Sequence, residues 1–440
     1  MLNRADAKAL IEKITAGTKY YAVAVLSASE QGTTRFANSE ISQNVTTLDG
    51  RMTLTLYDGK KQASCTTNAL LESGMEQLVK DAEYMLQAVP EGEFAAFPFS
   101  KEELPEPAYN SALAGAFDAA RRAAYINEGV AHLEPGYTAA GALTLTSNVM
   151  AIGESGGGFR YANYCNVTFN TVVSHQDGTD GAGECCSYTT VPDILAAFKK
   201  AQATAKAARN PVEPQLGGFT VVLSPTAFGD LLYFVGMSLN AKSVDMGMSF
   251  ARGKLGQKVF GENLTITDDV THPELMPLNF DQEGNPRRVV PLIDKGVVSA
   301  FLYDNKTAAK AGVESTGHSI TTPFGGGAYP RNVVVSAGDM SMDEIIASTE
   351  NGIFINEFHY TNFVNSRNLQ ITGLTRNGTF LIENGRLTKP IATVRFTESM
   401  LDAFNNITAI SKERELVSGY TGANLVPGVR IKNFHFTSKP

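Results

Sequence analysis

The sequence predicts an α+β protein, with an N-terminal antiparallel sheet carrying helices and a C-terminal β-rich domain of barrel-like or sandwich-like closure. Three patterns predict it. Segments of helical period alternate with segments of strict apolar and polar alternation in the first two hundred or so residues. Pro211-Val212-Glu213-Pro214 then breaks the chain. Beyond it, short alternating segments are separated by Gly, Asn and Asp turns, with one long apolar helix among them. Domains are expected over residues 1–210, with a proline-rich connection at 90–107, and over residues 215–440, with the apolar helix at 224–241.

Taken in order, Arg4–Ala16 carries Ala9, Leu10 and Ile14 at helical spacing. Residues 20–27, 33–46 and 52–64 alternate, and Glu30-Gln31-Gly32 and Asp49-Gly50 offer turn chemistry, so a three-stranded meander is expected. Residues 67–89 return to helical period. Residues 90–107, rich in proline and acid, read as an extended connection. A helix over 111–132, strands over 138–152, 159–174 and 183–190, and a helix over 193–209 follow. Gly156-Gly157-Gly158 resembles part of a phosphate cradle, but no Lys-Ser/Thr and no helix follow it, so it reads as a hairpin tip. Residues 219–223 form an apolar strand leading into Ser224-Pro225, an N-cap followed by the proline favoured at the first helical position. Further helical pieces are expected near 341–349 and 399–410.

Composition excludes several classes. With 43% hydrophobic and 19% charged residues the chain is an ordinary globular sequence. A net charge of -8 and the absence of a basic run argue against a nucleic-acid partner. No apolar run is long enough to span a membrane, and residues 1–16 read as an amphipathic start rather than a signal peptide, so a cytoplasmic protein is expected. Four cysteines form no CxxC and no Cys/His metal spacing. Cys185-Cys186 would need a partner such as His175 to become nucleophilic; a strand pointing the two thiols to opposite faces is the plainer reading.

Six histidines, at 132, 175, 272, 318, 359 and 435, include no two within five residues, so no HExxH or HExxxH zinc helix exists. A site assembled from His318 or His359 with Asp281 and Glu283 stays open geometrically. Phe280–Gly284 also reads as a simple turn, with Asp281 capping and Gly284 at positive φ. On the apolar helix, Tyr233-Phe234-Val235-Gly236-Met237-Ser238 offers zinc nothing, and its aromatic residues read as core beside Leu231, Leu232 and Leu239.

Several segments in order carry a resemblance. Arg35-Phe36-Ala37-Asn38-Ser39-Glu40-Ile41 is followed by Phe280-Asp281-Gln282-Glu283-Gly284, Pro291-Leu292-Ile293-Asp294-Lys295-Gly296, Leu302-Tyr303-Asp304-Asn305, Ser315-Thr316-Gly317, Pro330-Arg331-Asn332 and Ile382-Glu383-Asn384-Gly385. Together they resemble the TldD/PmbA family, also called the modulator-of-DNA-gyrase family. The resemblance implies a metallopeptidase scaffold, in which TldD-type members carry HExxxH and a later cysteine as zinc ligands and base. The corresponding positions here are Tyr233, Phe234 and Ser238, and no cysteine follows Cys186. It therefore implies a PmbA/TldE-like subunit, or a member of a divergent zinc-free branch, that is catalytically silent and holds no zinc itself. Such a subunit would help form a peptide chamber, as a homodimer or beside a TldD-like subunit carrying the zinc. Asp281, Glu283, His318 and His359 are the candidate peptide-groove residues. Two other readings stay open: a hydrolase with a site of its own, and a peptide-binding protein without catalysis.

Overall fold

A computed structural model of the chain describes residues 2–322 and 325–439, so the outermost residue of each expected domain lies outside it. Helix α1 (Arg4–Ala16) starts on the Asn3 cap and leads into three strands, β1 (Tyr21–Ala37), β2 (Glu40–Asp58) and β3 (Lys61–Thr67). The meander is present, but its turns are not where the glycines suggested. Asn38 and Ser39, at φ 50° and 65°, make the first turn, and Gly59 at φ 57° makes the second. Glu30-Gln31-Gly32 and Asp49-Gly50 instead lie inside long strands and face one another, with Ala28 opposite Gly50 and Gln31 opposite Thr47. Close packing explains both glycines: a Cβ on Gly32 would lie 2.3 Å from Arg122 Nη1, and one on Gly50 2.7 Å from Leu70.

Helix α2 (Glu72–Ala88) follows, and then the extended connection, which seats Phe99 in the core. The helix expected over 111–132 is two helices, α3 (Ser111–Gly115) and α4 (Ala119–Ala131), because Asp118 turns out of the first and caps the second through Arg121 N. Strands β4 (Tyr137–Glu154), β5 (Phe159–His175) and β6 (Asp180–Ser187) complete an antiparallel sheet of order β3-β2-β1-β4-β5-β6, and α5 (Ile194–Ala207) packs on β5 and β6. Gly156 and its neighbours form the β4–β5 hairpin tip.

The second half begins with β7 (Gly217–Leu223), α6 (Pro225–Ser238) and α7 (Ala241–Asp245). Ser224 accepts from Ala227 N as the α6 N-cap, and the helix ends at Ser238 because Asn240 caps α7. Short elements follow: β8 (Ile266–Asp268), β9 (Val290–Asp294), β10 (Val297–Val298), α8 (Asn305–Ala311), β11 (Ser319–Thr322), β12 (Gly325–Ala328), β13 (Val333–Val335) and α9 (Met342–Ala347). Sequence periodicity missed α8, though Asp304 and Thr307 form a capping box and Gly312 a left-handed C-cap. The chain ends in β14 (Asn351–Asn365), β15 (Gln370–Glu383), β16 (Arg386–Pro390), β17 (Arg395–Ser399), α10 (Met400–Asn405), β18 (Ile407–Ser418) and β19 (Ala423–Ser438).

Among the described residues β11 and β12 pair with each other, and the other strands of this half form an 11-stranded mixed sheet. Within it β7, β14, β15, β17 and β19 pair in a closed circuit, so barrel-type closure is present. Helix α6 packs on β14, β18 and β19, and its Phe228 ring meets Phe404 of α10 at 5.3 Å.

Candidate functional site

Strand alternation lines a cleft between the two sheets. Ser27 and Ser29 of β1, Asn148 and Met150 of β4, and Tyr164, Asn166 and Thr168 of β5 sit two residues apart on their strands, so each set points to one face. The opposite wall comes from Gln282, Met276, Arg331 and the β18–β19 turn around Tyr420 and Thr421. Three pockets that share lining residues result. The first, about 380 Å³, opens toward Asp49 and Arg51 of β2. The second, about 270 Å³, runs to Cys186, Tyr188 and Ser418. The third is narrow and meets α6 at Leu232, Tyr233, Gly236 and Met237. Thr421 borders all three, Tyr420 the first and third, and Arg331 the first and second.

A buried ionic knot holds the Arg331 wall. Arg287 Nη2 donates to Asp268 Oδ1 at 2.7 Å, and neither side chain is exposed. Arg331 N and Asn332 N donate to Asp268 Oδ2 at 2.5 and 3.1 Å. His318 Nε2 lies 3.1 Å from Asp268 Oδ1, though off a hydrogen-bonding line. Burial alone would raise the Asp268 carboxyl; the neighbouring His318 and Arg287 and the donated amides outweigh it and hold the group well below the usual carboxylate range.

The residues singled out by sequence are thereby placed. Asp281, 1% exposed, accepts from Glu283 N and Asn285 N through one oxygen and from Ser319 N through the other, while Gly284 takes φ 78°: this is the capping turn. Glu283 accepts from Asn305 N at 2.8 Å, and burial, with Asp281 alongside, pushes its carboxyl up to about 8. His318 is fully buried, with Nδ1 2.8 Å from Thr316 O. None of the three is among the residues lining the chambers; Gln282, between two of them, is. His359 stands apart on β14 beside Tyr360, with no hydrogen bond or ion pair to that group among the described residues.

The positions implied for zinc do not fit it. Tyr233 packs on Phe234 and on Tyr420, with ring centroids 5.2 and 5.7 Å away. Phe234 meets Phe363 edge-on at 4.8 Å, and Ser238 Oγ donates to Phe234 O at 2.8 Å. Rings and an engaged hydroxyl supply no ligand set, and among the described residues no group of three His, Cys, Asp or Glu is placed to hold a metal.

Asp230 escaped sequence reading, although it is the one charge between Ser224 and Ala241. Burial pushes its carboxyl up to about 8 against the Phe358 amide, which donates at 3.3 Å, and Glu357 and Glu184 push the same way. A proton held more tightly in the folded chain costs stability as pH rises from 3.8 toward about 8. Asp230→Asn is expected to stabilise little near pH ~4 and by on the order of a few kcal/mol above pH ~8, read as Tm against pH.

Burial, with neighbouring charge, pushes the Cys185 thiol up to about 12 and the Cys186 thiol up to about 11. Cys186 Sγ donates to Leu416 O at 3.4 Å, and His175 is engaged with Asp177 at 3.0 Å. The peptide containing the pair is expected to alkylate about a hundredfold more slowly than an exposed cysteine at neutral pH, read by mass spectrometry.

Fold and site define a protein of two β-sheets clasping a polar cleft beside an apolar helix whose one carboxylate, Asp230, accepts from the Phe358 amide. Residues 216–438 match the family described as the PmbA/TldA metallopeptidase C-terminal domain. The chain belongs to the PmbA/TldD family. It is 27% identical over 237 residues to a metalloprotease from Methanothermobacter thermautotrophicus, covering 50% of each chain. It is 28% identical to a TldD metalloprotease homolog from Haemophilus influenzae, covering 48% of this chain and 46% of that one. The chain thus aligns over about half the length of the curated relatives it matches. Its fold is similar to TldE from Thermococcus kodakarensis, with a TM-score of 0.86, 20% identity, and coverage of 98% of this chain and 99% of that one. A candidate DNA gyrase modulator from Bacteroides thetaiotaomicron matches with a TM-score of 0.86 at 19% identity over 100% of both chains. No helix among the described residues is long and apolar enough to cross a membrane.

Proposed function

We propose that this chain is a TldE-like subunit of a peptide-processing protease, holding an extended peptide in the cleft while a TldD-like partner supplies the zinc. The observation that carries the reading is the packing of Tyr233, Phe234 and Ser238, which fills the zinc frame of α6 and leaves Tyr233 as a wall of the third chamber. The cleft suits an extended peptide, because the long strands β1, β4 and β5 present polar side chains two residues apart along one of its walls. The reading that Asp281, Glu283 and His318 form a hydrolytic site loses support because Asp281 and His318 are buried and none of the three lines the chambers. The test mixes the purified chain with an HExxxH-bearing relative and an unfolded peptide. Cleavage is expected to need both proteins; equal cleavage by the relative alone would overturn the subunit role.

A further inference from the structure

The second chamber has a feature the subunit role does not require. Its walls include Asn148, Asn166 and Thr168, which are uncharged and polar, and Arg331 is the charged residue among those lining it. The Arg331 guanidinium is only partly satisfied. Nε donates to Thr421 O at 3.2 Å, Nη2 meets the weak thioether acceptor Met276 Sδ at 3.6 Å, and Nη1 is buried without a partner. Asp268 binds the backbone amide of Arg331 and gives its side-chain charge to Arg287. A cation placed against a polar chamber with no carboxylate of its own is costly unless a ligand supplies one.

We infer that Arg331 anchors a carboxylate of the bound peptide in the second chamber. A planar carboxylate that replaces the thioether at Nη2 brings its second oxygen to Nη1, which is closed off from solvent in this structure and becomes reachable once Met276 moves aside. A single cation flanked by neutral donors matches a monoanion; a phosphate dianion would call for more positive charge than this chamber holds. Either a terminal or a side-chain carboxylate carries this chemistry. The inference rests on the reading of the cleft as a peptide site.

The test measures fluorescence anisotropy of the full chain with three N-terminally labelled short peptides of Ala, Ser, Thr and Gly: a free acid, its C-terminal amide, and the amide with one internal Glu. On the unaltered chain the free acid is expected to bind about tenfold more tightly than the plain amide, and Arg331→Gln to erase that difference. Tight binding by the Glu-bearing amide extends the chamber to side-chain carboxylates; weak binding confines it to chain ends. Equal binding of all three peptides to the unaltered chain overturns the anchor and leaves the peptide cleft standing. No binding by any of them overturns both. The acid and amide comparison needs no substitution, so it decides the question even where Arg331→Gln folds poorly.

Discussion

Asp268→Ala is expected to destabilise the chain by about 3–5 kcal/mol at neutral pH, read by urea unfolding. The side chain is wholly buried, and its loss leaves Arg287 Nη2 and the amides of Arg331 and Asn332 without their acceptor and the buried Arg287 charge without its counter-ion. The pH dependence has a definite sign. Asp268 is held below its ordinary 3.8, so the stability it contributes is fully present above that value and is lost as pH falls below it and through the lower value of the folded chain. The deficit of the variant should therefore shrink in acid. Because Asp268 also positions Arg331, the same substitution should weaken peptide binding before the chain unfolds. A loss below about 1 kcal/mol at neutral pH would contradict the knot.

Phe228→Ala is expected to cost about 3–5 kcal/mol, and Phe228→Leu about 1 kcal/mol, read by the same unfolding measurement. Phe228 is unexposed on α6 and meets Phe404 edge-on, and Phe404 in turn lies 5.7 Å from Phe260, so one ring ties α6 to α10 and the loop before β8. Truncation leaves a cavity that three separate segments would have to collapse to fill. A near-neutral Phe228→Ala would mean that α6 is a replaceable surface element and not the core of the second half.

The local chemistry of the chain was largely legible. The Ser224-Pro225 start of α6, the Asp281 and Gly284 turn and the hairpin tip at Gly156 are each fixed by short-range hydrogen bonding or φ preference, which the sequence carries directly. The first meander misled because Gly32 and Gly50 look like turn residues, whereas they make room for Arg122 and Leu70, side chains distant in sequence. The cleft shows the same limit. Arg331 was visible only as part of a family segment, since its significance arises from Thr421, Met276 and the β5 residues that the fold brings beside it. Asp268 had no motif at all, and its partners Arg287, His318 and Asn332 lie at distances along the chain that no periodicity reports. Asp230 was within reach, as a lone charge on an apolar helix, and its raised carboxyl follows from that placement.

The central claim is that the zinc frame of α6 is filled by packed side chains, so that this chain performs no peptide hydrolysis by itself. Incubation of the purified chain with an unfolded peptide, with added zinc and separately with a chelator, tests it most directly. The expected result is no turnover above background under either condition; zinc-dependent turnover by this chain alone, abolished by the chelator, would contradict the claim.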